Sequence, residues 1–177
     1  MNIIGDRIYL RAIELSDKEV LLDIINDEVT EHELGGWSFP VSGLNQEEWI
    51  KSLKPNDSIL RCMIGKKEDD KAIGTVILSD IDYKNGTAEI HIKLGNQTRS
   101  KGFGTETVNL ISSYAFNELR LNCVYAHVND YNEKSQKLFE KCGFKEDGIL
   151  RDRIFKKGKY HSVHIYSLLK GDFNGNR

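Results

Sequence analysis

No apolar run in this chain is long enough to cross a bilayer, and the first twenty residues hold Asp6, Arg7, Arg11, Glu14 and Asp17, which excludes a secretory h-region. A cytoplasmic protein with no membrane partner is expected. Charge of one sign is missing too: the net charge is -2, and no basic block or Arg-rich arm offers nucleic acid an electrostatic footprint. Any anion site must therefore be local. Cysteine is scarce: Cys62, Cys123 and Cys142 are odd in number, widely spaced and without ligand-spaced histidines. Neither a disulfide framework nor a metal site is indicated, and all three read as reduced, mostly buried thiols. Repeats, low-complexity tracts and linkers are absent as well, so a single domain over residues 1–177 with one sizeable core is expected.

The apolar periods that are present switch between 2 and 3.6. "RIYLRAI" suits a first strand, and "SDKEVLLDIINDE" places Val20, Leu21, Ile24 and Ile25 at helical spacing behind a Ser/Asp start. After a loop containing "GGWSFP", "LNQEEWIKSL" reads as a short helix with Asn45 as N-cap and Trp49, Ile50 and Leu53 inward. "SILRCMIGK", "KAIGTVILSDI" and "TAEIHIKLG" follow as three antiparallel strands, the last two joined at Asn85-Gly86, where both residues tolerate positive φ. A long helix carries Val108, Ile111, Ala115 and Leu119 as one stripe; the strand "NCVYAHVND" and a helix closed by Gly143 come next, then strand-like runs around a Gly158 turn. This order describes a mixed α/β layer and not a doubly wound sheet.

"NQTRSKGFGTETVNL" runs from a strand into that long helix through two glycines. A helix entered this way presents free N–H groups and the positive end of its dipole. Gly102 and Gly104 would let the backbone approach an anion such as a pyrophosphate, while Arg99 and Lys101 add charge from the rim. GxxxxGK[ST] is absent, and GxGxxG fails at Thr107, so neither a P-loop nor a Rossmann fingerprint is present. An ordinary glycine turn flanked by solvated cations accounts for the same residues.

Arg99, Gly102 and Gly104 spell RxxGxG after a strand containing Glu89, and Asn132-x-x-Ser135 and "KCGF" follow in order. Together these motifs resemble the GCN5-related N-acetyltransferase family, more narrowly its ribosomal-protein-alanine and spermidine acetyltransferase branch. The resemblance extends from "DRIYLRAI" through "GKYHSVHIYSLLKGDF". It implies an α/β (α+β) fold with a mixed, mainly antiparallel central sheet, splayed between the fourth and fifth strands and flanked by helices. It further implies an acetyl-CoA site in which Arg99, Lys101, Gly102, Phe103, Gly104 and Thr105 cradle the pyrophosphate and the pantetheine enters the splay. A homodimer is also implied.

Acetyl transfer to an amine needs the amine neutral. With a pKa of about 10.4, an alkyl amine is neutral about once in 2500 molecules at pH 7, a deficit of roughly 4.6 kcal/mol. The leaving thiolate needs less help. Glu89, His91 and Lys93 share one strand face at intervals of roughly 6.6 Å, close enough for one water to bridge Glu89 and His91. The resemblance makes Glu89 the base acting through water, with His91 as partner or substitute; a structural acceptor is the plain alternative for Glu89. Asn132, Ser135 and Phe139 share one helix face, expected to meet the cofactor; the resemblance gives Asn132 a pantetheine contact, and a plain N-cap is the alternative. Phe139 departs from the family's tyrosine acid; the resemblance offers Ser135 in that role, with a capping or cofactor-contact role as the alternative and Tyr131 as another hydroxyl nearby. An N–H between Ile92 and Leu94 would meet the thioester oxygen.

On the acceptor side Asp27, Glu28, Glu31 and Glu33 either draw a cation or form an ordinary solvated helix end, and Trp37 and Phe39 either wall the pocket or close the core. The candidate acceptors are a polyamine, a protein N-terminus and an amino sugar. The competing functions are a non-catalytic CoA-binding regulatory module, suggested by Phe139, and a plain interaction domain.

Overall fold

The computed structural model of the chain describes residues 2–34 and 39–174. Among these, eight strands form one sheet in the order β1-β2-β3-β4-β5-β6-β8-β7. They are β1 (Ile3–Ile4), β2 (Ile8–Arg11), β3 (Leu60–Lys66), β4 (Ala72–Asp82), β5 (Thr87–Leu94), β6 (Cys123–Asn129), β7 (Lys145–Lys156) and β8 (Lys159–Leu169). All neighbours are antiparallel except β5 and β6, as the mixed sheet requires. β1 is too short to show alternation, so the strands counted fourth and fifth in the sequence are β5 and β6.

Five helices cover the sheet: α1 (Lys18–Ile25), α2 (Glu28–Leu34), α3 (Gly43–Ser52), α4 (Phe103–Asn117) and α5 (Glu133–Lys141). The stripe of α4 meets one face, where Val108, Ile111 and Ala115 are fully buried among Ile8, Leu10, Ile64, Val76, Leu78, Ile90, Val124 and Ala126. Alternation along β4, β5 and β6 turns the intervening residues to the opposite face. There α1 and α3 pack through a smaller cluster of Leu21, Ile50 and Met63. Each full burial of a Leu or Ile side chain stabilises by about 1.5–3 kcal/mol, so the α4 face holds most of the apolar stabilisation.

Two local expectations change. The N-cap of α3 is Ser42, whose Oγ accepts from the Asn45 N–H at 3.1 Å, not Asn45 itself. Trp49 is 38 % exposed and Leu53 is partly exposed, leaving Ile50 as the inward residue of the three. α2 occupies what the sequence offers only as an acidic connection. Its seven residues are too few to show a period, and Asp27 starts it by accepting the N–H and the hydroxyl of Thr30, each at 2.8 Å.

Gly86 closes the β4–β5 hairpin at φ 69° and its carbonyl accepts from Asn122 (2.7 Å) and Cys123 (3.0 Å), which docks the start of β6 beside β5. A Cβ there would lie 3.1 Å from the Asn122 nitrogen at a positive φ, so the turn favours glycine. No helix among the described residues is long and apolar enough to cross a membrane.

One buried ion pair anchors the start of α1. Arg11 meets Asp17 with two bonds of 2.7 Å, and Asp17, 3 % exposed, also accepts from the Glu14 N–H at 2.8 Å. Burial raises the Asp17 carboxyl, but these bonds outweigh it and hold it below its ordinary value of 3.8. The stability it lends is present above that value and is lost as pH falls through the lower folded-state value. Asp17→Ala leaves the guanidinium unpaired and is expected to cost about 3 kcal/mol in chemical denaturation at pH 7. An unchanged midpoint would show that the pair is dispensable.

Candidate functional site

Parallel pairing between β5 and β6 covers only Thr87–Cys123, Ala88–Val124 and Glu89–Tyr125. β5 continues to Leu94 and β6 to Asn129 without pairing each other, so the sheet forks after Glu89. The splay expected between the fourth and fifth strands lies here. On the other side of β5, regular pairing with β4 breaks between Ser79 and Asp82, a bulge marked by φ 49° at Asp80. Glu89 thus stands where both neighbouring ladders lose their register. Past it, every second N–H of β5 faces the fork without a strand partner, and the segment expected to offer a donor, Ile92 to Leu94, lies there.

Glu89 has one hydrogen-bond partner among the described residues. Its Oε1 lies 2.8 Å from Nδ1 of His127 on β6 and 3.8 Å from Nε2 of His91, which itself sits 2.9 Å from the Ser79 hydroxyl. Oε2 makes no hydrogen bond to a described residue. Burial, and after it the charges of Lys93 and His127, outweigh Glu89 and Asp80 and push the His91 imidazole below its ordinary 6.5, so it is neutral at pH 7. Tyr125 pairs with Glu89 in register and sets its ring edge-on to His127 at 5.8 Å. Burial, then Glu89 and Asp80, raise its phenol, keeping it protonated.

Beside His91, the structure gives Glu89 a direct bond to His127, which sequence spacing did not single out. Alternation in "NCVYAHVND" puts Tyr125, His127 and Asn129 opposite the buried Val124, Ala126 and Val128, so the face was legible. The partner was not, because it depends on the parallel register.

At the glycines, Gly102 is the N-cap of α4 at φ 85°, with Ser100 also positive at 61°. No side chain caps the helix, and the first helical hydrogen bond runs from Glu106 N to Gly102 O. The N–H groups of Phe103, Gly104 and Thr105 are left as free donors. Gly102 and Thr105 open on a cavity of about 480 Å³ that Arg7 and Lys141 also line.

The cations at this turn differ from expectation. Arg99 points to the other face: its Nε donates to Leu94 O (3.1 Å), Nη2 to Thr30 Oγ1 (2.6 Å), and it pairs with Glu33 (3.2 Å) and Asp27 (3.7 Å). The guanidinium beside Gly102 belongs to Arg7 of the chain's start. It lies over the Phe103 ring at 4.6 Å, reaches Lys101 O at 3.2 Å and pairs with Glu106 at 3.1 Å. Lys101 itself is exposed. A Cβ at Gly104 would make ordinary contacts with Leu138 and Leu94, so the local packing does not require glycine there.

On α5, Asn132 is the N-cap, accepting from Ser135 N at 3.1 Å while its amide reaches Glu33 O at 3.4 Å. Both ends of its side chain are thus in use. The Ser135 hydroxyl is half-buried and makes no hydrogen bond to a described residue. Phe139 is corrected from a cofactor contact to a core residue: it is 3 % exposed, with its ring against Phe144 at 5.0 Å. Tyr131 is engaged as well, donating to His32 O at 2.8 Å.

The acids offered as acceptor contacts are largely compensated. Glu33 pairs with Arg99, and Glu31 with Lys156. Phe39 is 71 % exposed, and Trp37 lies outside the described residues. Through these bonds α2 is tied to both arms of the fork: Asp27 and Glu33 to Arg99 after β5, and the His32 and Glu33 carbonyls to Tyr131 and Asn129 after β6. Burial raises the Cys62 and Cys142 thiols to about 11, so neither is a nucleophile at neutral pH.

Comparison with known proteins agrees with this geometry. Residues 7–145 match the family model described as the acetyltransferase (GNAT) domain. A Bacillus licheniformis protein named uncharacterized N-acetyltransferase p20 is 35 % identical over 96 % of this chain and 97 % of its own. The spermidine N(1)-acetyltransferase of Vibrio cholerae is 27 % identical, with 96 % of each chain covered. A crystal structure of the Vibrio cholerae spermidine N-acetyltransferase with CoA and spermine superposes at a TM-score of 0.86, 27 % identical over 94 % of this chain and 97 % of that one.

Proposed function

The chain belongs to the GNAT acetyltransferase family, and from that premise we propose that, acting as one domain, it moves an acetyl group from acetyl-CoA to a primary amine, with Glu89 as the base. One observation carries the assignment: the Glu89 carboxylate, held by His127, stands where the sheet forks. Two features support the fit of the donor. The uncapped α4 N-terminus offers three free N–H groups beside Arg7, and the unpaired length of β5 leaves room and donors for an extended amide chain.

In this reading Phe103, Gly104 and Thr105 hold the pyrophosphate through their N–H groups, and Gly102 keeps the approach free of a Cβ. Arg7 and Lys101 add charge. Arg99 is a positioning residue, fixing α2 against the end of β5. Acetyl-CoA, when bound, supplies the acetyl group as a thioester with a good leaving group. Glu89 removes the amine's proton, directly or through a water, and offers the free Oε2 for it while His127 fixes Oε1. His91, neutral and bonded to Ser79, orders that water.

Ser135 is the proposed acid, weak as serine is. Ser135→Ala is expected to lower turnover less than Glu89→Gln at neutral pH, because deprotonating the amine is the larger task. A greater loss from Ser135→Ala would show that thiolate protonation limits the rate.

The amines in the relatives' names support a primary amine as acceptor. Calorimetric titration with acetyl-CoA and thiol release over an amine panel test the proposal. Heat of binding with amine-dependent release is expected. Binding without release would favour a regulatory module, and no binding at all a plain interaction domain.

A further inference from the structure

The face of β5 that carries Glu89 and His91 ends at Lys93, and Lys93 forms part of the wall of a cavity of about 660 Å³ between the sheet, α1 and α3. Its walls are Leu21 and Ile24 of α1, Trp49 of α3, and Thr75 and Ile77 of β4. Thr75 and Ile77 pair in register with Lys93 and His91, so the cavity runs along the same face toward the base. Besides Lys93, its polar lining among the described residues is Asn45, Gln46 and Thr75, and no carboxylate of a described residue lines it. The acids of this region, Asp23 and Asp27 among them, line separate grooves along α1.

Lys93 makes no hydrogen bond or ion pair with a described residue, and burial pushes its ammonium below the ordinary lysine value. An extended polyamine with its reacting nitrogen at Glu89 would bring a second cation into apolar walls and toward this ammonium, with no acid to receive it. A like charge there is repelled, and a buried cation without a partner costs far more than an apolar arm gains. An arm that is apolar, with a neutral or anionic end, meets the opposite conditions: burial for its carbon chain and a cation for its terminus.

We propose that this cavity takes the acceptor and that Lys93 sets its class: a monoamine with an apolar arm, free or at the N-terminus of a peptide, and not a polyamine. The inference rests on the acetyl-transfer reading of Glu89 and goes beyond it in naming the acceptor.

Initial rates of thiol release with acetyl-CoA, for phenethylamine, a Phe-led tripeptide amide, an Asp-led one and spermidine, test it on the full chain. The wild type should use phenethylamine or the Phe-led peptide at a kcat/KM at least about tenfold above spermidine, and which of the two is preferred tells the source of the arm. Lys93→Glu should move the ratio toward spermidine by about tenfold or more, and Lys93→Met should move it less in the same direction. Wild-type preference for spermidine, or a ratio unmoved by both substitutions in variants that still bind acetyl-CoA, overturns the proposal. A measurement without variants stands beside these: 3-phenylpropionate should compete with the acceptor, and equal competition by spermine overturns the proposal. A preference for spermidine, with that turnover abolished by Glu89→Gln, would sink this inference and spare the catalytic one, whereas no turnover of any amine sinks the catalytic reading itself.

Discussion

Glu89→Gln is expected to lower kcat by about 100-fold or more while acetyl-CoA affinity stays unchanged. The substitution keeps the volume at the fork and an oxygen to accept from His127, so the 2.8 Å bond has a replacement. What it removes is the capacity to take a proton. The mutant must then wait for the small neutral fraction of amine, which grows about tenfold per pH unit below the amine's pKa. The residual rate should accordingly climb with pH more steeply than the wild type's, and the gap between them should narrow toward pH 10. Steady-state rates across that range, with calorimetry for the donor, check both parts. A uniform loss at every pH would make Glu89 a structural acceptor. His127→Asn should show a smaller version of the same profile, because His127 orients the base and takes no proton from the substrate.

Gly102→Val is expected to weaken acetyl-CoA binding by about 100-fold, or about 2.7 kcal/mol. Two effects act together. A β-branched residue at φ 85° is strained, and its Cβ would stand 3.1 Å from the Arg7 guanidinium that flanks the free N–H groups. The turn must shift, and the donors of Phe103, Gly104 and Thr105 turn with it. Gly148→Val is the control, since a Cβ there meets nothing within 4 Å. Titration of both variants, with helix content by circular dichroism, separates lost binding from lost fold. Equal affinity in a folded Gly102 variant would sink the cradle.

The residues differ in how far their roles could be read without coordinates. Glu89 was legible because alternation in "TAEIHIKLG" puts the acid opposite the buried Ala88 and Ile90. The place of Gly102 was legible because a glycine before an amphipathic period marks the entrance of the helix, and it stands there as the N-cap. Arg99 stands in the right motif, but its guanidinium turns to α2, a helix too short to show a period. Arg7, ninety-nine residues from Glu106, takes the place beside the glycine, and no local pattern reports a contact across that separation. Phe139 shares a helical face with Asn132, but its 3 % exposure and its contact with Phe144 depend on segments that the helical spacing does not report.

Periodicity and turn chemistry act over a few residues, so the sequence alone determined the strands other than the two-residue β1, the long helices, the glycine entrance of α4 and the face on which the carboxylate lies. Pairing register and side-chain direction are settled only when distant segments meet, so the tertiary structure decided that His127 holds Glu89, that α2 spends its acids on Arg99 and Lys156, and that the cavity beside the base is apolar with a lysine in its wall.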